Sequence, residues 1–326
     1  MTETDFTTLI KAKVKPRSTV IIAVSGGADS IYLLQRCLAL SKKIPFRIVV
    51  AHVNHGLRAK ASDGDAVFVR RMAKKHRLAY EATTLKIKGK KNLEALGRNK
   101  RYQFFEKIRK KWKADWVLTA HHLNDNIETV FFNLIRGAHF SGLKGIETVS
   151  PERHLLRPML ALTKSEILEY LTAKKIDHRE DESNNDLEFS RNWLRQKIIP
   201  LFRKINRNFE VTLRENLRNF AETADLLEHQ SAVWLHQHAK NLSFPLDAFL
   251  KEHPAFRKNV LIHLYKRLYR STKKLTQKHV QEIIKVLEQR RANRKKEFGT
   301  DYFILIDRKG GQGQRHVVIR LKKSQK

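Results

Sequence analysis

Six consecutive residues, Ser25-Gly26-Gly27-Ala28-Asp29-Ser30, follow a β-branched run and open a helical pattern. Two glycines let the backbone close on an anion, and amides at a helix start point toward it. The chemistry this favours is phosphate binding. A Walker A loop is excluded, because no Gly-Lys-Ser/Thr follows at the required spacing. A dinucleotide fingerprint fits poorly: the third glycine is missing, and the second strand ends at His52 rather than at an acidic residue. A ligand-free βα turn would account for one glycine but gives no reason for Asp29 and two flanking serines.

Three further clusters could do chemistry. His52-Val53-Asn54-His55-Gly56-Leu57-Arg58 places two histidines and an asparagine where a base or ribose edge could dock; ordinary loop polarity is the competing reading. In His121-His122-Leu123-Asn124-Asp125-Asn126-Ile127-Glu128, Asp125 and Glu128 are three apart and share a helix face. Two such carboxylates could hold an ammonium group or a metal, or complement the helix dipole. Arg191 and Arg195, four apart, could meet phosphate or charge developing at it. Arg98 and Arg101 raise the same choice, against the alternative of a solvated helix.

The elements that must position these clusters alternate in period. Thr19–Val24, Phe46–His52, Tyr80–Leu85 and Trp116–Ala120 are strand-like, the first a short continuous β-branched run of the kind buried on both faces. Between them Ser30–Leu40, Ser62–His76 and Leu93–Lys110 are helical, and Asp125–Arg136 follows the last strand. Ser62 is expected as an N-cap, with Asp63 and Asp65 in its first turn. This alternation predicts an α/β fold with a doubly wound, mainly parallel sheet, in which ligands bind at the carboxyl ends of strands. Each cluster falls at such an end. Beyond Pro151 the alternation stops. Thr163 with Glu166 forms a capping box for a helix to Lys174, and Leu187–Phe220 is helical with an interruption at Pro200. Short strand-like runs, Tyr302–Ile306 and Val317–Ile319, close the chain. The expected division is a catalytic domain over 1–200 and, after a helical linker, a smaller basic helical or α+β domain over 201–326.

Taken together, the motifs resemble a known family. The Ser-Gly-Gly-x-Asp-Ser loop is similar to the PP-loop of the ATP pyrophosphatases. With the His52–Arg58 segment, Arg136-Gly137, Arg157-Pro158, Ser183-Asn184, Arg191-Asn192 and Arg195, the stretch from about Val20 to Pro200 resembles the tRNA(Ile)-lysidine synthetases. One departure is Asn124-Asp125-Asn126, where that family commonly carries Asp-Asp-Gln, so one carboxylate is lost.

The resemblance implies a two-step reaction on the wobble cytidine of the CAU anticodon of tRNA(Ile). The cytidine is first adenylated by ATP with release of pyrophosphate, and free L-lysine then displaces AMP to give lysidine. It further implies ATP contacts at Ser25, Gly26, Gly27, Ala28, Asp29, Ser30 and His52. Mg2+ is expected at Asp29, leaning also on Asp125 given Asn124. Lysine recognition falls to Asp125 and Glu128, and charge stabilisation to Arg98, Arg101, Arg191 and Arg195. It admits a homodimer.

Charge is consistent with such a substrate. The 326 residues carry 66 Lys and Arg against 33 Asp and Glu, a formal +33. This excess is spread over the chain, since residues 201–326 alone carry 28 basic and 12 acidic side chains. Dispersed cations favour a long polyanion through counter-ion release. A single cysteine, Cys37, excludes disulfides within the chain and argues against tRNA thiolation, the nearest rival chemistry. A small-molecule ligase would not need the basic excess. A non-catalytic RNA-binding module would not need Asp29, Asp125, Glu128 and Arg191 together. No uncharged apolar stretch reaches membrane-spanning length, and a soluble, cytoplasmic protein is expected.

Overall fold

The structure is a computed structural model that describes residues 3–54, 59–85, 93–179, 190–270, 272, 275–292, 294–307 and 315–322, without the side chains of 3–4, 59–63, 93–95 and 190–191. The segments His55–Arg58 and Ser183-Asn184 and the Arg191 side chain therefore lie outside the described residues.

The chain forms two compact units, residues 1–129 with 146–214, and 130–145 with 215–326. In the first, helix α1 (Glu3–Lys13) leads into β1 (Thr19–Ala23), α2 (Ala28–Ser41), β2 (Arg47–Asn54), α3 (Ala59–Lys75), β3 (Ala79–Thr84), α4 (Leu93–Lys111), β4 (Trp116–Leu118) and α5 (Leu123–Ile135, to residue 129). Two short strands, β5 (Val149–Ser150) and β6 (Leu155–Leu156), complete a six-stranded sheet of order β3-β2-β1-β4-β6-β5. All its pairings are parallel except β5 with β6.

The continuous apolar runs are explained by burial on two faces. Val20, Ile22, Ile48, Val50 and Leu118 pack on one side with Leu33, Leu34, Val69, Ile167 and Leu171. The alternate residues Ile21, Val49 and Val117 pack on the other with Phe105 and Ile108 of α4. Period-2 alternation thus serves two cores, so neither face of β1 can be polar. The mainly parallel, doubly wound α/β fold expected from the sequence is what the chain adopts.

Two local expectations are corrected. Helix α3 begins at Ala59, so Ser62, Asp63 and Asp65 lie within it rather than at its cap and first turn. The helical stretch after residue 190 does not break at Pro200. A short helix, α8 (Ser190–Trp193), runs through a π-helical turn at Leu194–Ile198 into α9 (Ile199–Ile205). Pro200 sits in the first turn of α9, where its missing N–H costs little. The break comes instead at Asn206, which is extended (φ −135°, ψ 109°).

Between them, α7 (Lys164–Ala173) starts at the expected capping box. Thr163 Oγ1 accepts from the Glu166 amide at 3.2 Å, and Glu166 accepts from the Thr163 amide at 2.6 Å. In the second unit, α6 (Phe140–Leu143), α10 (Phe209–His238, from residue 215), α11 (Leu246–Lys251), α12 (Pro254–Tyr269) and α13 (Gln277–Glu288) accompany an antiparallel sheet. Its strands β7 (Ser243–Pro245), β8 (Lys295–Glu297), β9 (Tyr302–Asp307) and β10 (His316–Leu321) run in the order β7-β10-β9-β8. Its core joins Phe244, Phe249, Leu261, Ile283, Phe298, Ile304 and Val317. No described helix is long and apolar enough to cross a membrane.

Candidate active site

The glycine loop leaves β1 and enters α2 at the carboxyl edge of the parallel sheet. Gly26 has φ +105°, a conformation that L side chains rarely adopt. Its carbonyl accepts the Arg179 amide at 3.0 Å, and Gly27 bridges to Arg179, so a later segment clamps the loop. Ser30 Oγ organises the turn. It accepts the amides of Ser25 (3.1 Å) and Gly26 (3.2 Å) and donates to the Gly27 carbonyl (2.9 Å). The N-cap, Gly27, brings no side chain to the first-turn amides of Ala28, Asp29 and Ser30. Those helix-terminal donors form the part of the loop suited to an anion.

From Asp29 a line of alternating charge crosses the strand ends. Lys164 Nζ donates to Asp29 Oδ1 at 2.6 Å. The second oxygen of Asp29 lies 3.7 Å from His122 Nε2, which is equally 3.7 Å from Asp125 Oδ2. Arg195 Nη2 approaches Asp125 Oδ1 at 3.4 Å and donates to Glu128 Oε2 at 3.0 Å, while Arg195 Nε donates to Glu128 Oε1 at 2.5 Å. Asp125 also accepts the His122 amide at 3.0 Å, as the third residue of α5 reaching back to its N-cap. It therefore serves the helix start and the site at once. Burial works against the Asp125 carboxylate, but His122, His121 and Arg195 together hold it below the usual range. Glu128 is 4% exposed, and burial pushes its carboxyl above the usual range despite Arg195. Arg195 sits on the π-helical turn, a feature that recurs at functional sites.

A second, basic cluster flanks this line. The guanidinium carbons of Arg98 and Arg101 lie 5.7 and 5.8 Å from the Tyr102 ring centroid. Arg157 is 5% exposed and donates to the Glu147 carbonyl at 2.6 Å. Among the described residues, the Arg157 Nε and the Tyr102 hydroxyl are buried without a hydrogen-bond partner. His121, whose Nδ1 is 2.9 Å from Thr119 Oγ1, is pushed down to about 3 by burial and by Arg157, Arg98 and Arg101, against the pull of Asp125.

Of the residues expected from the sequence, Asp29, Asp125, Glu128 and Arg195 come together, and Arg98 and Arg101 gather beside them. The carboxylates of Asp125 and Glu128 face Arg195 rather than an open pocket. His52 is 2% exposed on β2, and burial holds its imidazole neutral-favouring, below the usual range. Its Nδ1–H donates to the Val24 carbonyl at 2.9 Å, leaving Nε2 a buried acceptor with no partner among the described residues. Lys164, His122, Arg157 and Tyr102 carry no assignment from the sequence. A signal for Lys164 was present: a cation at the first position of a capped helix opposes the macrodipole and needs a reason. Asn124 accepts the Lys164 amide through Oδ1 at 2.9 Å, tying α5 to α7.

No group of three His, Cys, Asp or Glu among the described residues converges as a metal cage. Asp29 and Asp125, on either side of His122, suit the sparser demand of Mg2+, which commonly takes one or two carboxylates and completes its shell with phosphates and water.

The chain is similar to known proteins over much of its length. A family model described as a PP-loop domain matches residues 1–202. The tRNA(Ile)-lysidine synthase of Enterococcus faecalis is 34% identical over 285 residues, covering 85% of this chain and 62% of that protein. That of Chlorobaculum tepidum is 37% identical over 216 residues, covering 64% and 63%. That of Bacillus cereus is 30% identical over 308 residues, covering 90% and 64%. The chain thus spans less than two thirds of the length of these curated relatives. Among solved structures, a U34-tRNA thiolase from Methanococcus maripaludis shares the fold, with a TM-score of 0.57 at 15% identity over 68% of this chain and 77% of that one.

Proposed function

This chain belongs to the PP-loop domain family, and we propose that it joins free L-lysine to C2 of the wobble cytidine in the CAU anticodon of tRNA(Ile), consuming ATP. The observation that carries this reading is the alternating line Lys164–Asp29–His122–Asp125–Arg195–Glu128 at the mouth of the glycine loop. It combines a phosphate cradle with carboxylates able to receive an amine. The names of the relatives support the same substrate.

ATP lies with its phosphates on the first-turn amides of Ala28, Asp29 and Ser30, in the loop shaped by Ser25, Gly26 and Gly27. The orphaned Nε2 of His52 supplies an acceptor for a base amine or ribose hydroxyl. Mg2+, when bound at Asp29 and Asp125, neutralises phosphate charge. In the first step the cytidine O2 attacks the α-phosphorus, and the bond to the bridging oxygen of pyrophosphate breaks. Arg98, Arg101, Arg191 and Arg195 stabilise the negative charge developing there. In the second step the lysine ε-amine attacks C2, and the C2–O bond breaks to release AMP.

Asp125 and Glu128 hold the lysine ammonium and accept its proton. That role requires Arg195 to turn from the two carboxylates toward the phosphate. Adenylation then opens the lysine site, which places the two steps in order. Basic residues of 201–326 contact the tRNA backbone. Mass analysis of tRNA(Ile) after incubation with ATP and isotopically labelled lysine tests the proposal. Labelled lysidine at the wobble position is the expected product. ATP–pyrophosphate exchange without lysine incorporation would refute the assignment of the nucleophile, and unmodified tRNA with no exchange would refute the activity.

A further inference from the structure

Lys164 is the first residue of α7, where the helix dipole opposes a cation. Its backbone is pinned there: Asn124 Oδ1 accepts its amide, and the Thr163–Glu166 capping box fixes the turn. From this anchored position its ammonium reaches Asp29 at 2.6 Å, while the other oxygen of Asp29 faces His122. Both oxygens of the PP-loop carboxylate therefore meet protein groups before any ligand arrives. The Lys164 and Asp29 side chains are 39% and 31% exposed, so water reaches the pair and it can open. Surface pairs of this kind hold weakly and yield to a stronger partner.

We propose that Lys164 is a resident counter-ion that keeps divalent metal off Asp29 until the phosphates of a nucleotide draw its ammonium away. The idea rests on reading the glycine loop as an ATP site. A metal ion and the ammonium compete for one carboxylate oxygen, and repulsion between them adds to that competition. A triphosphate offers the ammonium a better anion a few ångströms away and frees Asp29 for the metal arriving with it. Metal then binds where there are phosphates to complete its shell, and not at an empty loop. Lys164 acts as a positioning residue in this scheme, through Asp29.

The test uses the full chain without nucleotide, titrated with Mn2+ as a spectroscopic substitute for Mg2+ and followed by water-proton relaxation. Lys164→Met is expected to tighten Mn2+ binding about tenfold or more, as removal of one positive charge near a doubly charged ion predicts. Lys164→Arg keeps the charge and is expected to bind Mn2+ as weakly as the unaltered protein. Adding Asp29→Asn to Lys164→Met is expected to abolish the gain. Unchanged Mn2+ affinity in Lys164→Met, or a gain that survives Asp29→Asn, overturns the proposal. Metal-free ATP binding, by equilibrium dialysis, is expected to weaken in Lys164→Met; equal affinity overturns the transfer of the ammonium to phosphate. If the unaltered protein binds no ATP, the ATP reading falls while the Mn2+ result still decides whether Lys164 guards Asp29.

Discussion

Replacing Arg195 with methionine isolates the best-defined ion pair of the site. Two hydrogen bonds, 2.5 and 3.0 Å, hold the Glu128 carboxylate, and the Glu128 side chain is only 5% exposed. Breaking a buried pair by removing one partner costs about 3–5 kcal/mol. The Arg195 side chain is 37% exposed, so water can partly replace it, which reduces the expected loss to about 2 kcal/mol. For a unit of roughly 200 residues that is a fall of about 4–8 °C in Tm. The loss should depend on pH. Burial already raises the Glu128 carboxyl, and without Arg195 it rises further. Between the unfolded value near ~4.3 and the higher folded value, the folded state then holds a proton that the unfolded state has released. Stability therefore falls as pH rises through that window, and Arg195→Met should lose more at pH 8 than at pH 5. Urea unfolding at both pH values measures this, with Glu128→Gln/Arg195→Met as the control that removes the stranded charge. An equal loss at the two pH values, or no recovery in the double variant, would refute the argument.

Two further outcomes are expected. Gly26→Ala forces φ +105° on a residue with a Cβ and brings that atom to 3.4 Å from Val69, so it should cost about 1–3 kcal/mol and weaken ATP binding, read by thermal unfolding and equilibrium dialysis; an unchanged Tm would show that the loop relaxes freely. His121, pushed down to about 3, binds fewer protons folded than unfolded between that value and about 6.5, so stability should drop as pH falls through this range, and His121→Asn should flatten that dependence in pH-resolved unfolding.

The sheet was legible because its chemistry is local. Val20–Val24 is apolar at every position because Val20 and Ile21 serve opposite cores. The glycine loop was legible for the same reason: Gly26 needs its backbone conformation whatever lies around it. Pairings between distant segments left weaker traces. Lys164 meets Asp29 across 135 residues, and although Arg157-Pro158 marks the family resemblance, nothing in the sequence shows that Arg157 is buried. The sequence puts a helix break at Pro200 and the structure puts it at Asn206, because proline is a breaker only inside a helix. At the first turn of α9 the same residue is a start signal, and the preceding π-helical turn absorbs the change of register. His52 was expected to face a ligand, and what could not be read from sequence was that one ring nitrogen is spent on the Val24 carbonyl.

The charge along the site has a consequence for how it must work. Lys164 and Arg195 supply two cations, and Asp29, Asp125 and Glu128 supply three carboxylates, so these five side chains are formally −1. A polyanionic nucleotide would be repelled by such a line if its charges stayed paired as they are. Each cation, however, is held by carboxylates and sits at the edge toward water, 39% and 37% exposed. On the proposed function, an arriving triphosphate takes both. The carboxylates they leave then present negative charge at Asp29 and at Asp125 with Glu128, one place suited to a metal ion and the other to an ammonium group. The basic cluster of Arg98, Arg101 and Arg157 stands beside this exchange and keeps the surroundings positive while it happens. If the proposed function holds, the ion pairs of the ligand-free protein are reserves for its two steps, and a substitution at Asn124 acts first by loosening Lys164 from α5, whose amide it accepts.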